Sequence, residues 1–480
     1  MNRKMVIYLI GQMLKVEAAL MALPLIVSLI YKEDCYLAFL ISIGIALGLG
    51  FLMTILFRPK TRIFYAKEGF VIVALAWIAM SLIGATPFVI SGEIPSFVDA
   101  VFETISGFTT TGSSIVRDVE ALSKGILFWR SFTHWIGGMG VLVFVLAIMP
   151  KFSDRSIHLI RAEMAGPIVG KLVPKAKDTA KILYLIYIAL TVIETIFLLF
   201  GGMNLFESVV HSFGTAGTGG FGIKANSIGG YSPYCQWVIT IFMLLFGVNF
   251  NLYYFLLLRN FRSVFKNVEL WVYISVLTVS TGIITANILS RFDGFFDALR
   301  HAAFQVSSIV TTTGYATDNF DLWPTLSKGI IFLLLFLGGC AGSTAGGLKV
   351  SRVLILFKMM RSELNKMLHP RSVNVIKMDG RQIDDPTLRN VGVYFAIYIV
   401  GILVTFFVLC FEPFNFETNF SAAVTCFNNV GPGFSLVGPA MSFAEYSDIS
   451  KIVLSFAMLF GRLEIFPLLI ALSPSTWSKK

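Results

Sequence analysis

An all-α polytopic membrane fold is predicted by three features of this sequence: its apolarity, the recurrence of apolar windows near the length of a bilayer crossing, and a repeated unit. Across 480 residues, 56% are hydrophobic and 14% charged, with a mean hydropathy of +0.78. Soluble domains carry roughly 25% charged residues. Apolar windows of about twenty residues, enough to cross roughly 30 Å of hydrocarbon, recur throughout and leave no room for a separate soluble domain. The net charge of +10 would suit a nucleic acid, but the Lys and Arg residues sit mainly in short connections between apolar windows, where they act as topology signals. No nucleic-acid partner is expected.

Two spans come first, at about 5–30 and 36–57, joined by the polar turn Lys32-Glu33-Asp34. The basic connector Arg58-Pro59-Lys60-Thr61-Arg62 follows, and an excess of positive charge marks the cytoplasmic side. The N-terminus is therefore expected inside the cell. Met1-Asn2-Arg3-Lys4 leads into a long apolar stretch with no convincing small-residue cleavage site, so no cleaved signal is expected.

A unit then repeats four times: a span, a segment too short to cross, and a second span. The first unit reads 69–90, 96–112 and 124–149; the second 180–201, 204–220 and 234–258. The third reads 269–289, 294–314 and 326–357; the fourth 390–411, 416–431 and 449–472. The chain thus divides at 1–62, 63–150, 151–262, 263–365 and 366–480, with about ten spans plus four re-entrant pore helices in a pseudo-fourfold arrangement. The connector 151–181 carries seven Lys or Arg against three acids, Arg259, Arg262 and Lys266 follow the second unit, and the chain ends Ser478-Lys479-Lys480. The last short-segment region instead carries Glu412, Glu417, Glu445 and Asp448. All four short segments are accordingly expected to enter from the outer side, with both termini cytoplasmic.

The short segments carry the chemistry. In the first and third units they end Ser106-Gly107-Phe108-Thr109-Thr110-Thr111-Gly112 and Ser308-Ile309-Val310-Thr311-Thr312-Thr313-Gly314. The second reads Gly217-Thr218-Gly219-Gly220 and the fourth Asn428-Asn429-Val430-Gly431. About thirteen residues of helix reach only roughly 20 Å, so each segment must turn back. Irregular backbone at membrane depth is tolerated only where it is buried in protein or lines a water-filled cavity. Helix C-termini aimed at a common axis favour a cation there, and backbone carbonyls can replace its water shell. Glycine permits the conformation that turns a carbonyl inward. The competing reading is close helix packing by small residues, which explains one such loop better than four in register.

A second glycine cluster interrupts the third unit's last span: Gly338, Gly339, Gly342, Gly346 and Gly347, with Ser343 and Thr344 among them. Five glycines in ten residues disfavour a continuous helix, at about 1 kcal/mol each relative to Ala, so an unwound stretch below the filter is expected. A phosphate-binding loop is the competing motif, but no Gly-Lys-Ser/Thr follows. Arg462 falls inside the last span, where an arginine costs at least about 2.5 kcal/mol and is a functional candidate by default. It is expected to point at the pore. Glu464 lies roughly 200° further round the same helix and cannot face it.

Other polar residues invite structural readings. Glu17 with Lys15, and Glu194, suggest buried pairing; Asn249 and Asn251 suggest interhelical hydrogen bonds; His134 beside Trp135 suggests an interfacial anchor. Cys35, Cys235, Cys340, Cys410 and Cys426 lie singly, without metal-site spacing, and read as packing residues. No ATP-binding motif is evident, so no catalysis and no bound cofactor are expected.

This arrangement resembles the Trk/Ktr/HKT superfamily of cation transporters, and more closely its bacterial TrkH branch of pore-forming subunits, over nearly the whole chain. The resemblance places filter glycines at Gly112, Gly220, Gly314 and Gly431. Glycine rather than serine at position 112 implies K+ as the transported ion, held at the filter residues. It also implies that the segment from Gly338 to Gly347 obstructs the pore, that Arg462 stands beside it, and that the plasma membrane houses a homodimer docked on a cytosolic nucleotide-binding (TrkA-type) ring. The alternative is a secondary transporter coupling a solute or K+ to Na+ or H+, whose broken helices also use glycine. That reading calls for inverted repeats, whereas these units share one orientation.

Overall fold

The computed structural model describes residues 1–59, 66–140, 176–371 and 374–478. The expected connector at Lys60-Thr61-Arg62, most of the basic connector 151–181, the end of the 124–149 span and the terminal Lys479-Lys480 lie outside the described residues. What is described is helical, apart from one two-stranded hairpin, Lys377–Met378 with Arg381–Gln382.

Six helices among the described residues are long and apolar enough to cross a membrane: Arg3–Tyr31, Tyr36–Leu56, Lys67–Ser91, Asp178–Phe200, Val268–Arg291 and Asp385–Leu409. The last four are the first spans of the four expected units. The second spans differ from expectation. In the second unit, Pro233–Phe246 and Phe250–Leu257 meet at 90°. The third has helices Thr325–Leu334 and Val350–Leu368 separated by irregular backbone, and the fourth has Asp448–Arg462 and Phe466–Leu472. Continuous spans at 234–258 and 449–472 are therefore corrected to broken ones.

The breaks have local causes. Pro467 has no N–H to bond back into the preceding helix, and Glu464 and Ile465 turn at φ 55 and 67, a region a β-branched residue rarely visits. At the second-unit break, a Cβ on Gly247 would come within 2.4 Å of Tyr273 Oη and 2.8 Å of Thr311 Cγ2, so only glycine fits. The carbonyls freed there are not left bare. Gly247 O accepts from Cys340 N at 2.9 Å, Phe246 O accepts from Thr344 Oγ1 at 3.2 Å, and Phe250 N donates to Gly342 O at 3.0 Å. Two irregular stretches thus satisfy one another at membrane depth, as a low-dielectric setting requires.

Four short helices stand between the spans: Phe97–Phe108, Leu205–Gly217, Phe295–Val310 and Phe416–Asn428. Ser96, Asn204 and Asn415 cap three of them by accepting from the N3 amide, and Asn204 completes a reciprocal capping box with Glu207. Each becomes fully buried towards its C-terminal end.

Candidate functional site

The four short helices end in one backbone motif. The residue two before each glycine is left-handed, at Thr110, Thr218, Thr312 and Asn429 (φ 54 to 56), and so is the glycine, with φ of 82, 74, 83 and 104 at Gly112, Gly220, Gly314 and Gly431. The residue between them returns its N–H to the helix in every case: Thr111 to Ser106 O, Gly219 to Gly214 O, Thr313 to Ser308 O and Val430 to Thr425 O, at 2.8 to 3.0 Å. Loops as different as Thr-Thr-Thr-Gly and Asn-Asn-Val-Gly therefore take one shape. This is a six-to-one helix termination, which fixes the chain after the helix.

The loops pack in a closed ring. A Cβ on Gly112 would lie 2.1 Å from Gly219 O, on Gly220 1.9 Å from Thr313 O, on Gly314 2.3 Å from Val430 O, and on Gly431 2.8 Å from Thr111 O. Each glycine abuts the carbonyl before the next loop's glycine, and the fourth closes on the first. Thr109, Thr110, Thr111, Thr311, Thr312, Thr313, Thr218, Asn428, Asn429 and Val430 are all fully buried around this ring. Four threonine hydroxyls are occupied behind the loops, Thr109 with Thr111 and Thr311 with Thr313, each at 2.8 Å, whereas the buried Thr110 Oγ1 has no hydrogen-bond partner among the described residues. Backbone oxygens are the donors that all four loops have in common to offer an ion. With helix C-termini converging on it, the partial charge there is negative.

Cavities lie on either side. One, about 140 Å³, is lined by all four of Gly112, Gly220, Gly314 and Gly431. The other, about 50 Å³, is lined by Gly138, Ser343, Gly346, Gly347, Lys349 and Arg462 among others. The stretch from Gly338 to Gly347 lies against the ring, because Gly346 N donates to Thr312 Oγ1 at 2.6 Å and a Cβ on Gly346 would come within 2.8 Å of Asn428 O. Gly338 N and Leu348 O close this loop at 2.9 Å. Gly339 and Gly342 face the second-unit break, within 2.9 Å of Gly247 O and 3.1 Å of Asn249 Oδ1 respectively for an added Cβ.

Arg462 sits under the ring and is fully engaged. Its Nη1 donates to Thr344 O at 2.8 Å, and its Nη2 to Gly137 O and Gly138 O at 2.6 and 2.7 Å. Glu464 pairs elsewhere, accepting from Arg352 Nη1 at 3.0 Å, with Arg352 stacked 3.9 Å over Tyr394. The two charges do diverge, but the cause is the helix break between them rather than helical phase.

Several residues carry roles the sequence did not disclose. Glu269 Oε1 accepts from Ala341 N at 2.7 Å and Ser351 N at 2.9 Å, tying the interior of the irregular loop to the first turn of the helix after it. Glu103 and Arg130 form a buried ion pair at 2.5 Å behind the first loop. An arginine inside the 124–149 window was the available signal. His134 is not an interfacial anchor: it is fully buried between the first and second loops. Asn249 caps the helix Phe250–Leu257 by accepting from Asn251 N, rather than bonding between helices. Lys15 bonds Thr54 Oγ1 at 3.2 Å, not Glu17. Among the described residues no group of three or more His, Cys, Asp or Glu could hold a metal ion.

Comparison with known proteins gives the family and the fold. Residues 38–270 and 271–480 match the family model TrkH, described as a cation transport protein. The chain is 36% identical to the Trk system potassium uptake protein TrkH of Salmonella typhimurium, covering 99% of this chain and 100% of the relative. It is 34% identical to the Trk system potassium uptake protein TrkG of Escherichia coli, covering 99% and 98%. The crystal structure of the potassium transporter TrkH from Vibrio parahaemolyticus superposes with a TM-score of 0.90 at 32% identity, over the full length of both chains.

Proposed function

This chain belongs to the TrkH family of cation transport proteins, and from that premise we propose that it takes up potassium through the ring formed by Gly112, Gly220, Gly314 and Gly431. It is a multi-pass membrane transport protein of the Trk type, not an enzyme. The ring closure carries the reading: four loops of unlike sequence adopt one backbone shape, abut in cyclic order and open together into one cavity. The filter would comprise Thr109 to Gly112, Gly217 to Gly220, Thr311 to Gly314 and Asn428 to Gly431, dehydrating the ion with backbone carbonyls.

Beneath it, the loop Gly338, Gly339, Gly342, Ser343, Thr344, Gly346 and Gly347, held by Arg462, would close the path. The guanidinium would add a fixed positive charge to a cavity of about 50 Å³ beneath the ring. Inward flux needs no chemistry, since 100 mV is worth about 2.3 kcal/mol per charge, roughly a 50-fold concentration ratio. The finer organisation we propose is four repeats after two leading spans, about ten spans in all, with cytoplasmic termini in the bacterial inner membrane. A homodimer and a TrkA-type regulatory ring on the inner face complete it; what the relatives' names support is membership of a Trk system with further components.

The test is growth on limiting potassium and radioactive rubidium uptake in a strain lacking its own uptake systems. Wild type should restore both, and Gly314→Ser should admit sodium, because a Cβ at that φ collides with Val430 O. Unchanged selectivity in Gly314→Ser would remove the filter assignment.

A further inference from the structure

The four loops are alike in backbone but not in what stands behind them. In the first, Thr109 and Thr111 bond one another, and Thr109 Oγ1 donates to Ile105 O at 2.6 Å. The third repeats this with Thr311, Thr313 and Ser307 O. In the fourth, Asn428 Nδ2 donates to Val424 O at 2.9 Å while its Oδ1 accepts from Tyr398 Oη at 2.7 Å. The second loop has no side chain at either position, because they are Gly217 and Gly219.

That space is filled from another unit. A Cβ on Gly219 would fall 2.2 Å from His134 Nδ1, and one on Gly217 would fall 2.3 Å from His134 O. His134 comes from the first unit's second span, Lys124–Gly138, and is wholly buried. Its Nδ1 is 2.8 Å from Gly107 O, five residues before Gly112, and its Nε2 is 3.3 Å from the N–H of Phe221, directly after Gly220. The imidazole also packs 4.1 Å from the Phe221 ring. A carbonyl can only accept and an amide N–H can only donate, so Nδ1 carries the proton and Nε2 presents its lone pair. One neutral ring thereby joins the first short helix to the exit of the second loop.

We infer that His134 is a positioning residue for ion selectivity, replacing behind the second loop the threonine pairs that back the first and third. The inference rests on the filter reading above. It identifies why that loop is Gly-Thr-Gly-Gly: a side chain at 219 would occupy the volume of the imidazole, and one at 217 would meet the main-chain carbonyl of His134.

The experiment compares His134→Ala, His134→Gln and Gly314→Ser, reading rubidium uptake against competing sodium alongside thermal unfolding in detergent. Removing both bonds leaves the Phe221 N–H unpaired in a buried site and Gly107 O with only its bond from Thr110 N, so His134→Ala should lose about tenfold in rubidium-over-sodium preference. The Gln amide offers one donor and one acceptor as the ring does, so His134→Gln should keep the preference within about threefold. If His134→Ala does not fold, His134→Asn takes its place, since its shorter amide cannot reach both partners. Loss in Ala or Asn with retention in Gln supports the inference. Full preference in folded Ala or Asn, while Gly314→Ser loses it, overturns the inference and leaves the filter standing. Loss in Gln equal to that in Ala overturns it too, because a donor and an acceptor at that place would then not sustain the preference. Full preference in Gly314→Ser overturns the filter reading itself.

Discussion

Arg462 reaches across the molecule to Thr344, its Nη1 donating to the main-chain oxygen at 2.8 Å while its Nη2 holds Gly137 and Gly138. One guanidinium thus joins the fourth unit, the loop of the third and the span of the first. Gly461 makes this approach possible, since a Cβ there would lie 2.0 Å from Phe427 O.

Loss of that fork should loosen the loop. Hydrogen bonds from a charged donor are worth about 1.5–3 kcal/mol each, so Arg462→Ala should raise basal rubidium uptake several-fold. Arg462→Lys should fall between, because an ammonium is a point charge without the planar fork. Equal uptake by wild type and Arg462→Ala at matched expression would show that the arginine has no part in closure.

Glu269 makes a second, independent prediction. Its Oε1 accepts from Ala341 N and Ser351 N, ten residues apart, so one carboxylate oxygen ties the interior of the loop to the start of the helix Val350–Leu368 that follows it. Glu269→Ala orphans two buried N–H groups at roughly 1–3 kcal/mol each. Glu269→Gln keeps a carbonyl oxygen in place. Basal uptake should therefore rise in the Ala variant and stay near wild type in the Gln variant; the reverse order would show that charge, not anchoring, matters there.

Much of this was legible in the sequence and some was not, for physical reasons. The four short segments and the glycine cluster stood out because glycine and threonine are conspicuous within apolar windows. The ring order could not be read, since it depends on which glycine meets which carbonyl. The broken second span of the second unit was missed because Phe246-Gly247-Val248-Asn249 keeps its hydropathy across the break. Pro467 was an available signal for the fourth-unit break, passed over in expecting a continuous span at 449–472. His134 was misread since an aromatic neighbour, Trp135, suggests an interface, whereas the absence of threonine at 217 and 219 was the real signal. Glu269 could not be recognised, because its partners are backbone amides, which sequence does not distinguish.

Glu103 and Arg130 supply the last test. Their 2.5 Å pair is almost wholly buried, and each partner has further duties. Glu103 also accepts from Ser114 Oγ and Ile115 N, both at 2.9 Å, just beyond Gly112. Arg130 Nη1 donates to Gly222 O at 2.9 Å, just beyond Gly220, and its guanidinium lies 3.6 Å over the Phe221 ring. The pair therefore ties the exits of two adjacent loops. Breaking a buried pair by removing one partner leaves an uncompensated charge and costs about 3–5 kcal/mol, so Arg130→Met and Glu103→Gln should each lower the unfolding temperature markedly. Combining them removes both charges, and the double variant should be less destabilised than the sum of the singles, though not restored, because Ile115 N–H and Gly222 O lose their charged partners. Strict additivity in thermal unfolding would show that the two side chains act separately despite their contact.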